Sequence, residues 1–415
     1  MSSASIADAP WLKDKNLQRL LAALAEGGEE ARIAGGAVRN TLFGQAAGDV
    51  DVATTTEPAE TARRAVAAGF KAVPTGAEHG TITVIAGGNP IEVTTLRHDV
   101  ETDGRHAKVK FGRDWQRDAE RRDFTINGLY AAADGRVIDL VGGLKDIETR
   151  TLRFIGDPEA RIREDFLRIL RFFRFFAWYG SGRPDAEGLK ACARLKDGLD
   201  QLSAERVWAE LKKLLSASDP SRAILWMRQA SVLTKVLPES EKWGIDGLKP
   251  LIDTSLALDW PADPLLRLQA MVPPDPERML RLASRLKLSN EERDRLSLWA
   301  LTPAIAADTS DDQLAKLLYL GDLQGAVDRL RHALATARGR DEKQAVAYAH
   351  LLGFAEHWNA PEFPIKGRDL TELGMRAGPE LGSLLKELEK AWVDSDFTLG
   401  RDVLLERAAA ESSKS

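Results

Sequence analysis

The sequence predicts an α+β protein in which a small head of mixed sheet and helices precedes an elongated, all-α remainder. Short β-rich runs bounded by Gly, Asn and Pro are confined to roughly the first 150 residues. After Asp157-Pro158 these signals fade, and Leu, Ala, Arg and Glu recur at helical spacing almost to the end. At 415 residues the chain is too long for a single hydrophobic core, so two to four domains are expected.

Taken in order, Ala31 to Ala34 reads as a short strand that ends at Gly35-Gly36. Ala37 to Phe43 reads as a helix stopped at Gly44. Asp49 to Thr54 and Thr81 to Ala86 read as strands. The latter is closed by Gly87-Gly88-Asn89-Pro90 and paired as a hairpin with Ile91 to Leu96. Residues 97–117 are polar, carry both charges and lack clear periodicity, which predicts a mobile loop. Arg121-Arg122-Asp123-Phe124-Thr125-Ile126-Asn127 reads as the opening of a helix. Val137 to Leu140 and Leu152 to Ile155 complete the strand candidates. In the helical part, breaks are expected at Ser218 to Pro220, Pro261 to Pro264, Pro273 to Pro276 and around Pro361 to Pro364.

The composition, 44% hydrophobic and 29% charged, is that of an ordinary globular protein. The lone Cys192 excludes an internal disulfide and suits a reducing compartment. Met1 to Pro10 lacks the basic and apolar regions of a signal peptide, and no run approaches the roughly 20 apolar residues of a membrane span. A cytoplasmic protein without a membrane association is expected. The net charge of −5 argues mildly against a nucleic-acid partner, yet Arg150 to Arg174 carries seven Arg against four acids. A local basic groove on an acidic body therefore remains open.

Asp49 and Asp51, two apart on a strand, would project from one face. Two hard oxygen ligands there suit Mg²⁺, which binds through one or two carboxylates plus substrate phosphates. Two such ions can activate an attacking hydroxyl and stabilise departing pyrophosphate. Alone, the pair would be a solvated strand edge. Gly35-Gly36 changes that, because Gly36 lets the backbone approach a phosphate and Arg39 adds a charge-assisted contact. Glu92 is either a third carboxylate from a neighbouring strand or an exposed strand glutamate. Arg122 can hold phosphate and Asp123 can accept from ribose hydroxyls; the bland alternative is a salt-bridged helix face.

Glu164 to Arg174 is the sharpest segment. Asp165 and Arg168, three apart on a helix, are neighbours, and Arg171 and Arg174 continue at the same interval among Phe and Leu. An Asp beside an Arg places an acceptor next to a donor. Cytosine and adenine present the complementary order and uracil and guanine the reverse. The pair therefore predicts acceptance of C and A without a nucleic-acid template, unless it is only an intrahelical salt bridge.

These motifs, in order, resemble the class II tRNA nucleotidyltransferases: the CCA-adding enzymes and their bacterial poly(A) polymerase relatives. They include Gly156-Asp157 to Arg161 and Ser203-Ala204-Glu205-Arg206, which looks like the family's helix-stabilising motif. Arg285 to Asn290, Gly367 to Leu370 and Gly378-Pro379 match more loosely. The resemblance implies a polymerase-β-like nucleotidyltransferase head over 1–153, a neck over 154–220, a body over 221–345 and a tRNA-binding tail over 346–415.

It further implies Mg²⁺ (two ions) at Asp49 and Asp51, and phosphate or sugar contacts from Gly36, Arg39 and Arg122. Asp165 and Arg168 would form a protein template, with Arg171 and Arg174 beside it. Residues 97–117 would be the loop that switches addition from C to A. CTP, ATP and the tRNA 3′ end are the expected partners, with no obligate protein partner. Asn40 and Gly128 depart from the family's usual Asp and Ala. Rival expectations are a poly(A) polymerase, a partial CC- or A-adding enzyme, and an inactive RNA-binding protein. The last would predict a lost metal carboxylate.

Overall fold

The computed structural model describes residues 4–103, 106–241 and 243–412. The chain divides into two compact units, Met1–Glu241 and Lys242–Ser415.

The first unit contains a seven-stranded mixed sheet in the order β3-β4-β5-β2-β1-β8-β9. Its strands are β1 (Ala31–Ala34), β2 (Asp51–Thr54), β3 (Lys71–Gly76), β4 (Thr81–Ala86), β5 (Asn89–Thr95), β8 (Leu129–Ala131) and β9 (Val137–Asp139). β2 and β5 run parallel, and the other neighbours are antiparallel. β4 and β5 alternate buried and more exposed positions along much of their length, as a sheet with one covered face requires. Their turn, Gly87-Gly88, has φ of +60° and +88°, the left-handed pair that a tight hairpin demands.

Two departures from the sequence reading lie here. Residues 97–117 are not a loop but a second, two-stranded sheet, β6 (Arg97–Asp103) and β7 (His106–Phe111), followed by helix α4 (Trp115–Glu120). Residues 104 and 105 of that segment lie outside the described residues. The pairing shifts register between Asp99 and Glu101, and such a bulge breaks the strict period of two that sequence alternation relies on. Leu152 to Ile155, expected as a strand, contributes only a single bridge between Phe154 and Phe124.

Five further helices matter for the site: α1 (Lys15–Leu24), α2 (Gly36–Leu42) and α3 (Pro58–Ala67) in the sheet region, then α5 (Gly143–Glu148) and α6 (Pro158–Glu164). They are joined by α7 (Leu167–Tyr179), α8 (Ala186–Arg194) and α9 (Ala204–Leu215). α7 buries Leu167, Ile169, Leu170, Phe172, Phe173, Phe175, Phe176 and Tyr179. Its Phe172 lies parallel to Phe154 at 5.4 Å, and Phe124 packs on Phe154 at 4.9 Å and on Phe175 at 5.3 Å. Each such ring removes apolar surface worth about 1.5–3 kcal/mol from water. That cluster fixes α7 against the segment that follows α4, and turns its Arg168 and Arg171 toward a cleft.

The second unit is helical throughout. The expected breaks from Pro261 on fall between its helices or at their starts, as the one at Ser218 to Pro220 does in the first unit, with Pro264 and Pro276 each at a first helical turn capped by Asp263 and Asp275. Its core includes two apolar clusters, one running from Ile305 to Ala355 and one from Ile365 to Ala408. Among the described residues no helix is long and apolar enough to cross a membrane.

Candidate active site

Register assembles the site. Ala34, the last residue of β1, pairs with Asp51, the first of β2, and Asp51 pairs across the parallel ladder with Glu92 of β5. Gly35 follows β1 with φ of +61°, and a Cβ there would stand 3.1 Å from the Arg122 guanidinium. Only glycine gives this turn. It delivers α2 beside Asp51 with no side chain capping its first turn.

Asp51 lines a cleft of about 440 Å³ together with Gly35, Gly36, Arg39, Arg122 and Asp165. Its carboxyl is pushed up to about 6, by burial first, then by the negative charges of Glu92 and Asp49, with Arg122 opposing. Asp49 sits differently from the sequence reading. β2 begins only at Asp51, so Asp49 lies in an exposed bend after Gly48 rather than on the strand. Glu92 is exposed, faces Asp51 across the ladder and does not line the cleft.

Glu92 and Asp49 add negative charge around the half-buried Asp51 carboxyl that Arg122 only partly offsets, an environment that suits a divalent ion. Among the described residues no three acidic, His or Cys side chains converge closely enough to hold an ion by themselves. That fits Mg²⁺, which takes one or two carboxylates and completes its shell with water and substrate phosphates.

The segment after α4 corrects a further expectation. Arg121 is the C-terminal cap of α4 rather than the start of a helix, and Thr125–Asn127 forms a single 3₁₀ turn into β8. The reason is local. Asp123 Oδ1 accepts from the Phe124 N–H at 2.9 Å and from Asn127 Nδ2 at 2.9 Å, and such bonds compete with helix. Asp123 is buried and also takes Arg171 Nε at 2.7 Å and Nη2 at 2.5 Å. Burial alone would raise its carboxyl, yet Arg171, Asn127 and the Phe124 amide hold it below the ordinary range. With these bonds made, Asp123 is a support for Arg171 more than an open acceptor for a ribose.

Arg122 is held by Asp118, which is 1% exposed on its side chain and takes Arg122 Nη2 at 3.3 Å, Arg121 Nε at 2.7 Å and the Tyr130 hydroxyl at 2.6 Å. Arg39 donates to Asn127 Oδ1 at 2.5 Å and to the Tyr179 hydroxyl at 2.9 Å, and lies over the Tyr179 ring.

Asp165 and Arg168 do not form a pair on one helix. α6 ends at Glu164, Asp165 is extended, and α7 starts at Leu167. Arg168 instead pairs with Glu164 at 2.5 Å, and Asp165 takes Arg206 Nη2 at 2.6 Å and the Leu167 N–H at 3.0 Å. Both still line the cleft, as does Arg171. Arg174 does not line it; its Nε meets buried Glu210 of α9 at 2.5 Å. The closest carboxylate differs for each of the three arginines of α7: Glu164 for Arg168, Asp123 for Arg171 and Glu210 for Arg174, with Glu210 also 4.0 Å from Arg171.

Sequence reasoning missed Asp118, Arg206, Asn127, Tyr179 and Glu210 as site residues. Asp118 was signalled by its spacing of three and four to Arg121 and Arg122, but it stood between the presumed loop, 97–117, and the helix expected from Arg121. Arg206 and Glu210, four apart at the start of α9, carried the same kind of signal.

A mixed sheet presenting acidic residues at a strand end, beside a cleft lined by arginines, defines a nucleotidyltransferase head. A family model described as the Poly A polymerase head domain matches residues 31–153, and one described as a probable RNA and SrmB-binding site of polymerase A matches 183–243. The mouse protein named CCA tRNA nucleotidyltransferase 1, mitochondrial, is 36% identical over 406 residues, spanning 94% of this chain and 89% of its own. The CCA-adding enzyme of Leuconostoc mesenteroides is 32% identical over 397 residues, spanning 93% and 94%. The crystal structure of the Bacillus stearothermophilus CCA-adding enzyme in complex with CTP superposes with a TM-score of 0.70 at 25% identity, covering 96% of this chain and 98% of that one. The chain belongs to the tRNA nucleotidyltransferase and poly(A) polymerase family.

Proposed function

We propose that this chain adds C, C and A in turn from CTP and ATP to the 3′ end of tRNA, releasing pyrophosphate at each step. The observation that carries the proposal is that Asp51 and Asp165 line the same cleft. A group that can hold a triphosphate's metal and a group that can read a base then act on one bound nucleotide. The relatives' names, and the CTP in the Bacillus structure, support the same substrates.

In this reading Asp49 and Asp51 hold two Mg²⁺ ions, with Glu92 setting the charge on Asp51. When bound, Mg²⁺ supplies Lewis-acid activation of the attacking ribose hydroxyl and of the leaving pyrophosphate. The chain's own residues do the positioning. Gly35 and Gly36 let the phosphates close on the backbone, and Arg39 and Arg122, each anchored by other side chains, present guanidinium groups to them.

At the other end, Asp165 accepts from the exocyclic amino group of cytosine or adenine, while Arg168 donates to the adjacent ring nitrogen. Arg206 keeps the Asp165 carboxylate in place. Uracil and guanine would set acceptor against acceptor, which leaves buried polar groups unpaired and costs about 1–3 kcal/mol for each such group. Arg171 and Arg174 line up behind this pair through Asp123 and Glu210. The β6–β7 hairpin takes the role expected of residues 97–117 in changing from C to A. The second unit is assigned to tRNA shape rather than sequence, and the unpaired Cys192 supports the cytoplasmic reading.

The test is extension of a tRNA transcript lacking its 3′ CCA, with Mg²⁺ and each nucleotide singly and together. Two C residues with CTP alone, then one A once ATP is added, are expected. A long A ladder on tRNA and unrelated RNA alike would make it a poly(A) polymerase.

A further inference from the structure

The residue after Arg39 has two hydrogen-bonding ends that face opposite kinds of partner. Asn40 Oδ1 accepts from Arg39 Nε at 3.0 Å, from Arg39 Nη2 at 2.8 Å and from the Tyr179 hydroxyl at 3.0 Å. Its Nδ2 donates to the Ala46 carbonyl at 3.0 Å and, more weakly, to the Ala47 carbonyl at 3.3 Å. Three donors surround one end and two acceptors the other, so the amide can sit only one way round. The main chain adds a further tie, from the Gln45 N–H to the Asn40 carbonyl at 2.8 Å.

Ala46 and Ala47 lead directly to Gly48, whose φ is +70°, and then to Asp49. The segment is exposed for most of its length and contains no helix or strand, so little else fixes where Asp49 stands. We propose that Asn40 is a positioning residue with two jobs: it aligns Arg39 in the cleft, and its amide nitrogen fastens residues 46–47 so that Asp49 is held beside Asp51. The proposal rests on the reading of Asp49 as a metal ligand.

The two jobs need different chemistry. A carboxylate of the same shape can accept from Arg39 and Tyr179, but it has no hydrogen to give the two carbonyls and would turn negative charge toward them. Asn40→Asp therefore separates the functions, and Asn40→Ala removes both.

The experiment has three readouts on the full chain. In the metal-free protein, hydrogen exchange of the amides at 45–49 reads the tie itself. Mn²⁺ binding, followed by its electron paramagnetic resonance signal, reads the placement of Asp49. The KM for CTP reads Arg39.

For Asn40→Asp, exchange at 45–49 should quicken and Mn²⁺ affinity fall, each by about tenfold for two lost hydrogen bonds, while the KM for CTP moves less than about twofold. Asn40→Ala should reproduce both losses and raise the KM as well. If Asn40→Asp exchanges and binds Mn²⁺ like the parent chain, the proposal is wrong. It is equally wrong if both variants raise the KM alike and leave Mn²⁺ binding intact. Asp49→Asn separates the underlying reading: intact Mn²⁺ binding there removes Asp49 as a ligand, whatever Asn40 does.

Discussion

At the scale of single residues, the site is a set of charges whose values are set by what surrounds them. Asp51 carries its elevated carboxyl because partial burial and Glu92 work against ionisation, while Asp118 and Asp123, more deeply buried, stay low because arginines face them. If Asp51 holds metal as proposed, Asp51→Asn removes that ligand but not the cleft, and kcat should fall by about 10²–10³ or more. CTP binding measured by calorimetry should survive, and a variant that keeps most of its activity would displace Asp51 from the reaction. The residues that share the cleft, Gly36, Arg39, Asp51, Asp165 and Arg168, were all singled out in the sequence, because Gly-Gly before an acidic strand end and an Asp three before an Arg stand out at short spacing. Their partners were not. Asp165 was expected to meet Arg168 on a helix, but the helix breaks at Asp165, and its salt bridge reaches 41 residues along the chain to Arg206. A contact that distant leaves no periodic trace.

At the scale of elements, α7 joins core and cleft because its two faces serve different ends. The apolar face was legible from its Phe and Leu pattern, and the arginine face from its spacing of three. What the sequence did not reveal is that the closest carboxylate of each arginine lies on a separate element. Phe172 is fully buried, parallel to Phe154 and edge-on to Phe173. Phe172→Ala should destabilise the first unit by about 3–5 kcal/mol in chemical unfolding, and a loss below about 1 kcal/mol would mean that the aromatic cluster does not set α7 in place. The hairpin β6–β7 was the least legible element, read as a loop because its charges and register shift hide the alternation. Replacing it by a short Gly-Ser link should leave two C additions and suppress the final A, as gel resolution of the products would record; full CCA addition would remove the hairpin from switching.

At the scale of the whole molecule, the change from α+β to all-α near residue 157 was plain in composition, and the proline breaks marked the helix ends. The polar core of the second unit was hidden. Asp328 is fully buried and accepts from Arg295 through two bonds of 2.9 Å, from Gln269 at 2.8 Å and from Gln324 at 2.9 Å. Asp328→Ala leaves Arg295 half-paired inside the protein, and a loss of about 3–5 kcal/mol is expected in the unfolding of this unit. Beside it, His332 donates toward Gln269 and has its pKa lowered to about 4, chiefly by burial. Between that value and the ordinary 6.5 the unfolded chain takes up a proton that the folded unit refuses. The stability His332 supports is therefore present above about pH 6.5 and drains away as pH falls toward 4. Thermal melts across that window should steepen their fall in the parent chain and flatten in His332→Gln; identical slopes would contradict the assignment.

The central claim is that the protein itself, through Asp165, chooses C and A over U and G. The most direct measurement is kcat/KM for CTP against UTP on tRNA lacking its CCA end, in the parent chain and in Asp165→Ala. Strong preference for CTP is expected in the parent, with a collapse of that ratio by about 10²-fold or more in the variant, mainly through lost use of CTP. A ratio unchanged in Asp165→Ala would place nucleotide choice elsewhere.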